Sequence, residues 1–413
     1  MSATETITVP QQPDIQYAPD YAKYQARTAR RLATETLPTG LPAGFPKELK
    51  SELVWEGSEL AGRYDWTYEL NAAEVEEIEK ALQHFQSLKK PLGFITPETF
   101  PLPTLHATLR SISHELHHGH GFKVLRGLPV HSHPIEENII IYAGVSSHIA
   151  PIRGRQDRIV TDSQTSDVVL NHIKDLSTRP DSQGRIGAPA YTTEKQVFHT
   201  DAGDIISLFA LSEAAQGGTS RLASSWRVYN ELAATRPDLI RTLGEEEWVL
   251  DGFGNKDKPY TTRPLLFHTP ATASAPERVL IQYARRSFTG YQSLARSPDI
   301  PPITEAQAEA LDALHFLAEK FSVGLDFRAG DVQYVNNLSI FHARDGFVDT
   351  AETQRHLVRL WLRDEENAWP TPKRLDELWA RVYDGVDAEN QYFPTEPRIR
   401  TSGDGKAKQG GGY

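Results

Sequence analysis

Three stretches of the chain repeat apolar residues with the period of a helix. Asn71 and Glu74 stand at capping-box spacing, and Val75, Ile78, Leu82 and Phe85 follow on one face. Leu105, Leu109, Ile112 and Leu116 form a second stripe over roughly 104–118. A third helix is predicted from Thr304, with Gln307 in the box position and Leu311, Leu314, Ala318 and Phe321 facing inward. Elsewhere the pattern is that of strands. GFKVLRGLPV (121–130) reads as a buried strand ending in a turn, and VFHTDAGDIISLFAL (197–211), RVLIQYARRSFTG (278–290), GDVQYVNNLSIFHARDGF (330–347) and RHLVRLWLRD (355–364) are strand-like. Helices early, then strands with scattered helices, predict an α+β protein built on an antiparallel sheet or barrel.

The ends differ from the middle. Residues 1–40, rich in Pro, Thr and Gln, read as an extended or partly disordered arm. The run from Thr401 to Tyr413 has almost nothing to bury and is expected to be a disordered tail. No linker or repeat divides the rest, so a single domain is expected over 41–372, with a C-terminal helix and extension over 373–400.

Composition narrows the chemistry. Against 55 Asp+Glu there are 44 Lys+Arg, a formal net charge of −11 over 413 residues, which does not suit nucleic-acid binding. No run approaches the ~18–20 apolar residues of a membrane helix, and the start lacks a secretory pattern, so a cytoplasmic location without a membrane partner is expected. There is no cysteine, and the single methionine is Met1. Disulfides, thiolate metal sites and thiol nucleophiles are therefore excluded, and any metal must be held by His and carboxylate.

Two motifs offer such ligands. His114-Glu115-Leu116-His117-His118 has H-E-x-x-H spacing. At about 100° per residue, however, His114 and His118 fall on the helix face opposite the apolar stripe, where a solvated helix end is the better reading. His199-Thr200-Asp201 is different: in a strand both side chains project to one side, and the flanking residues are apolar. A shared cation would remove the cost of burying them, although a buried His–Asp hydrogen bond that only orders the core is the alternative. His342, ending a long apolar run, supplies a third ligand, and two His with one carboxylate make the facial triad of non-haem Fe(II) oxygenases. Arg355 and Arg359 stand amid apolar residues and call for an anion, either an internal carboxylate or a ligand. Ile340 shares a strand face with His342 and is expected to line the pocket, with Phe341 pointing the other way.

In order, His199-x-Asp201, Gly217-Gly218-Thr219-Ser220, His342 and Arg355 resemble the signature of the TauD/TfdA family of Fe(II)- and 2-oxoglutarate-dependent dioxygenases, over about residues 120–365. The filamentous-fungal members, some of which act on small amino acids in secondary metabolism, are the most similar. The resemblance implies a double-stranded β-helix (jelly-roll) with flanking helices. It also implies Fe(II) held by His199, Asp201 and His342, with 2-oxoglutarate and O2 as cosubstrates. Arg355 would clamp the distal carboxylate of 2-oxoglutarate, assisted by the Ser220 hydroxyl, and Arg359 matches a position that binds an anionic head of the substrate. The stretch between Asp201 and Ser220 is shorter than in the bacterial sulfonate-using members. Succinate and CO2 would be released as an unactivated C–H of a small anionic or zwitterionic molecule is oxidised, by hydroxylation, desaturation or ring closure. Two other classes fit parts of the pattern: a non-catalytic jelly-roll module binding an anion, and a zinc hydrolase.

Overall fold

The computed structural model describes residues 11–161, 165–273 and 275–400. Two sheets form its centre. The first has seven strands: β1 (Thr67–Glu69), β2 (Phe122–Arg126), β3 (Ile152–Arg153), β4 (Leu170–Lys174), β6 (Ile205–Ser212), β9 (Val332–Asn336) and β11 (His356–Arg363), where β5 (Gln196–His199) belongs to the second sheet. Their order is β1-β2-β9-β6-β11-β3, with β4 also pairing β11. The second sheet has four strands in the order β8-β7-β10-β5, adding β7 (Ser220–Ser224), β8 (Val323–Leu325) and β10 (Ile340–Arg344). Apart from the parallel pair β1/β2, all these pairings are antiparallel. The result is a jelly-roll in an α+β frame.

Three apolar layers hold it together, and they explain why the strands read as continuous apolar runs rather than alternating ones. Between the sheets, Phe122, Val124 and Val335 of the first meet Leu222, Leu325 and Ile340 of the second. On the outer face of the first sheet lie three helices, α2 (Ala72–Leu88), α3 (His106–His118) and α4 (Ile135–Ile149), which bury Ile78, Leu109 and Ile141 against Phe209, Tyr334 and Val358. On the outer face of the second lie α5 (Ser225–Thr235), α6 (Pro237–Glu245) and α7 (Glu305–Phe321), packed on Phe198, Ala223 and Phe341. Both sequence-predicted capping boxes are present, Asn71 with Glu74 and Thr304 with Gln307.

The structure departs from the sequence reading in two places. The arm over 1–40 is not extended throughout: Tyr21–Thr34 is a helix, α1, capped by the Asp20 side chain and docked on α7. Its apolar content is poor because ion pairs attach it, Arg27 to Asp312 at 2.6 Å and Arg31 to Glu309. The strand expected over 278–290 ends at Ile281, pairs only with Leu266–Thr269, and gives way to a helical turn, Arg286–Thr289. Beyond 372 the expected helix is α8 (Asp376–Tyr383). The expectation for 401–413 lies outside the described residues.

Candidate metal centre

The antiparallel register of β5 and β10 places His199 directly opposite His342, their ring centroids 4.1 Å apart. Asp201 follows β5 by two residues, and its Oδ1 lies 3.9 Å from His199 Nε2. One ligating atom from each of the three residues lies within 4.8 Å of the others, and this is the only such group of His and carboxylate side chains among the described residues.

Each group is held ready. A carbonyl can only accept, so the 2.8 Å contact to Val197 O fixes the proton of His199 on Nδ1 and leaves a lone pair on Nε2. Burial, with His199 alongside, pushes His342 down to about 3, and burial likewise lowers His199, so both imidazoles are held in the neutral form that can ligate a metal. Nδ1 of His342 is buried without a hydrogen-bond partner. For Asp201, burial would raise the carboxyl, but the Arg359 guanidinium and the two histidines outweigh it and hold the group well below the usual carboxylate range. Arg359 Nη1 donates to Asp201 Oδ2 at 2.6 Å and Trp361 Nε1 donates to the same oxygen at 3.1 Å, leaving Oδ1 on the histidine side. Asn337, fully buried, pins the Asp201 backbone: its Oδ1 accepts from Asp201 N at 2.9 Å, and its Nδ2 donates to Asp201 O and Gly203 O at 2.8 and 2.7 Å. Two imidazoles and a carboxylate converging on one point, with neighbours that fix tautomer and orientation, fit a divalent iron with open positions.

Beside the triad opens a cavity of about 860 Å³, whose walls include His199, Asp201, Tyr191, Arg359, Arg286 and Arg400. The other sequence-predicted residues are placed as follows. Arg355, just before β11, is buried and has no carboxylate partner among the described residues. Burial, with Arg344 nearby, pushes it down to about 9. Its Cδ and Nε lie 3.1 Å from where a Cβ on Gly218 would sit, and Gly217 and Gly218 have φ of +78° and +76°, so only glycines let this turn approach the guanidinium. Ser220 is two residues on, its hydroxyl donating to Gln333 Oε1 at 2.7 Å. An unpaired buried guanidinium fits a ligand carboxylate. Arg359 does line the cavity, but its guanidinium is engaged with Asp201 and, through Nε, with Gln156 Oε1 at 2.8 Å.

Ile340 is corrected. It shares the face of His342, yet it is fully buried between the sheets against Phe122, Leu222 and Val335 and does not line the cavity. Register explains this: Ile340 pairs with Ser224, two positions deeper than the Leu222–His342 pair. Phe341 points to the other side, into the helix-covered core. His114 and His118 are exposed on α3, as the helix geometry predicts, and Glu115 instead accepts from His120. Asn337, Trp361, Arg286 and Arg400 were not singled out from the sequence. Trp361 shares the strand face of Arg359 and Asn337 is a polar residue inside an apolar run, so both carried a local signal; Arg400, far along the chain, carried none.

A jelly-roll with a two-histidine, one-carboxylate group at the mouth of its barrel is the architecture of a non-haem iron oxygenase. Comparison with known proteins agrees. Residues 67–361 match the family described as "Taurine catabolism dioxygenase TauD, TfdA family". The taurine hydroxylase-like protein SAT17 of Stachybotrys chartarum is 37% identical over 356 residues, 85% of this chain and 88% of that protein. FR-33289 synthase of Streptomyces rubellomurinus is 23% identical over 332 residues, 77% and 91% of the two chains. Among solved structures, an asparagine oxygenase in complex with Fe(II), 2S,3S-3-hydroxyasparagine and succinate superposes with a TM-score of 0.52 at 15% identity, covering 72% of this chain and 94% of that one. The chain belongs to the TauD/TfdA family, and is an Fe(II)- and 2-oxoglutarate-dependent dioxygenase that uses O2. Among the described residues no helix is long and apolar enough to cross a membrane.

Proposed function

We propose that the chain oxidises an unactivated C–H of a small anionic or zwitterionic acid, such as an amino acid, in secondary metabolism. In this reading His199, Asp201 and His342 hold Fe(II), and Arg355 receives the distal carboxylate of 2-oxoglutarate, with the Ser220 hydroxyl assisting once its proton turns from Gln333 Oε1 to the ligand. The observation that carries it is the register pairing of His199 with His342 beside Asp201, at the edge of a cavity large enough for a small substrate. When bound, iron would supply the site at which O2 is the oxidant, with 2-oxoglutarate giving up two electrons as it becomes succinate and CO2 and the substrate C–H giving up the other two. The chain's own residues position and protect. Val197 O fixes the His199 tautomer, Arg359 and Trp361 aim the Asp201 carboxylate, and the apolar layer around Ile340 and Phe122 closes the inner end of the barrel to water.

The test is 2-oxoglutarate turnover. Succinate should form only with Fe(II), and His342→Ala should abolish it in a protein that still folds; normal turnover by that variant would remove His342 from the site. Arg355→Gln should weaken 2-oxoglutarate by about tenfold or more while leaving 2-oxobutyrate, which lacks the distal carboxylate, unaffected. Equal loss for both acids would place Arg355 elsewhere in the mechanism.

A further inference from the structure

The cavity beside the triad carries guanidinium charge that the protein does not neutralise. Arg400, on the C-terminal extension, is anchored by its backbone N–H, which donates to the Tyr191 hydroxyl at 3.0 Å. Its guanidinium lies over the Trp361 ring at 5.3 Å from the centroid, and its Nη1 is buried with no hydrogen-bond partner. Arg286, at the start of the turn that replaces the expected strand, donates Nη1 to the Gly187 carbonyl at 2.5 Å and lies over the Phe253 ring at 5.0 Å. Phe253 is itself held at φ +51°, unusual for an aromatic residue, with its N–H bonded to Asp251 Oδ1 at 2.7 Å.

Neither Arg286 nor Arg400 has a carboxylate partner among the described residues. Both are partly buried, whereas the fully buried arginines of the wall are paired: Arg359 has Asp201 and Arg285 has Asp312. The acids on the cavity wall are Asp201, which Arg359 and the metal position engage, and Asp257, on an exposed loop. Burial, and to a smaller extent the Arg400 charge lining the same cavity, pushes Arg286 down to about 10. Such a pair is costly unless an anion enters between them, and the planar fork of each guanidinium suits an oxyanion.

We propose that Arg286 and Arg400 form an oxyanion subsite, and that the substrate oxidised at the triad carries a carboxylate, sulfonate or phosphate-type group held there. This rests on the iron-oxygenase reading for its chemistry but not for its binding, and it moves the substrate's anionic head from Arg359, which Asp201 already occupies, to Arg286 and to Arg400, which shares the Trp361 ring with Arg359.

The experiment is calorimetric titration of the anaerobic Fe(II) protein, saturated with 2-oxoglutarate, with matched probes: L-alanine against L-alaninamide for an α-carboxylate, L-aspartate against L-asparagine, and L-cysteate and O-phospho-L-serine against L-serine. At least one probe carrying the added oxyanion should bind about tenfold or more tightly than its partner lacking it. The pair with the largest difference identifies the head group. Arg286→Gln/Arg400→Gln should erase the preference without changing 2-oxoglutarate affinity, and the double lysine variant should keep part of it. If the double glutamine variant does not fold, Arg400→Gln alone, on the surface extension, should still shrink the preference. Partners lacking the oxyanion binding as tightly in every pair, no probe binding at all, or a preference that survives the glutamine substitutions would each overturn the subsite. Metal-dependent 2-oxoglutarate binding, measured on the same samples, reports separately on the triad and Arg355, so its failure overturns that reading and not this one.

Discussion

Asp201 shows how much of a candidate metal site lies outside its three proposed ligands. Its Oδ2 takes hydrogen bonds from Arg359 and Trp361, and its backbone is clamped on both sides by Asn337, so one oxygen is left to turn toward the histidines. Arg359→Gln or Trp361→Phe should therefore weaken Fe(II) binding by about 10- to 100-fold without removing a ligand, the usual cost of losing a supporting hydrogen bond. Equilibrium dialysis against Fe(II) or Mn(II) checks this, and unchanged affinity in both variants would reassign the pair to packing. Much of this site was legible in the sequence, because His199, Asp201 and His342 lie in apolar runs where uncompensated polar groups are costly. The role of Arg359 was not: a buried arginine demands an anion, but which one depends on β11 lying next to β6, a long-range pairing that no local pattern reports.

At the scale of elements, helix α1 is the clearest case of charge replacing apolar burial. Arg27 and Arg31 are both buried, and Glu309, with no exposed surface, accepts from Thr28, Arg31 and Arg236, while Asp312 pairs with Arg27 and Arg285. A buried carboxylate surrounded by arginines is costly to neutralise, so Glu309→Gln should destabilise the protein by about 3–5 kcal/mol in urea unfolding. A loss within experimental error would mean that α1 is held by packing alone. Apolar periodicity could not reveal this helix, since its docking face is polar, whereas Ala72–Leu88 and Glu305–Phe321 were readable from capping boxes and stripes. The segment 278–290 was misread for the opposite reason. Its apolar half is a strand, but Arg285 and Arg286 end it in a turn that directs a charge into the cavity.

Over the whole molecule, a net charge of −11 coexists with a cavity whose wall is cationic, so the positive charge is concentrated where a small acid would enter. Burial also sets the protein's acid limit. His356, hydrogen-bonded to His172 at 2.7 Å, is pushed down to about 3 by burial and by that histidine, and buried His117 is pushed down to about 4. Both take up protons near the ordinary value of 6.5 once unfolded, so stability is full above that pH and is lost progressively as pH falls from about 6.5 toward about 3. His356→Gln should flatten this limb in thermal melts recorded across that window; an unchanged slope would mean that other groups govern acid unfolding. The account depends most on the triad, and Fe(II) binding to the anaerobic protein tests it most directly. The wild-type chain should take up about one Fe(II) and lose that site in His199→Ala/His342→Ala. Undiminished Fe(II) binding by the folded double variant would contradict it.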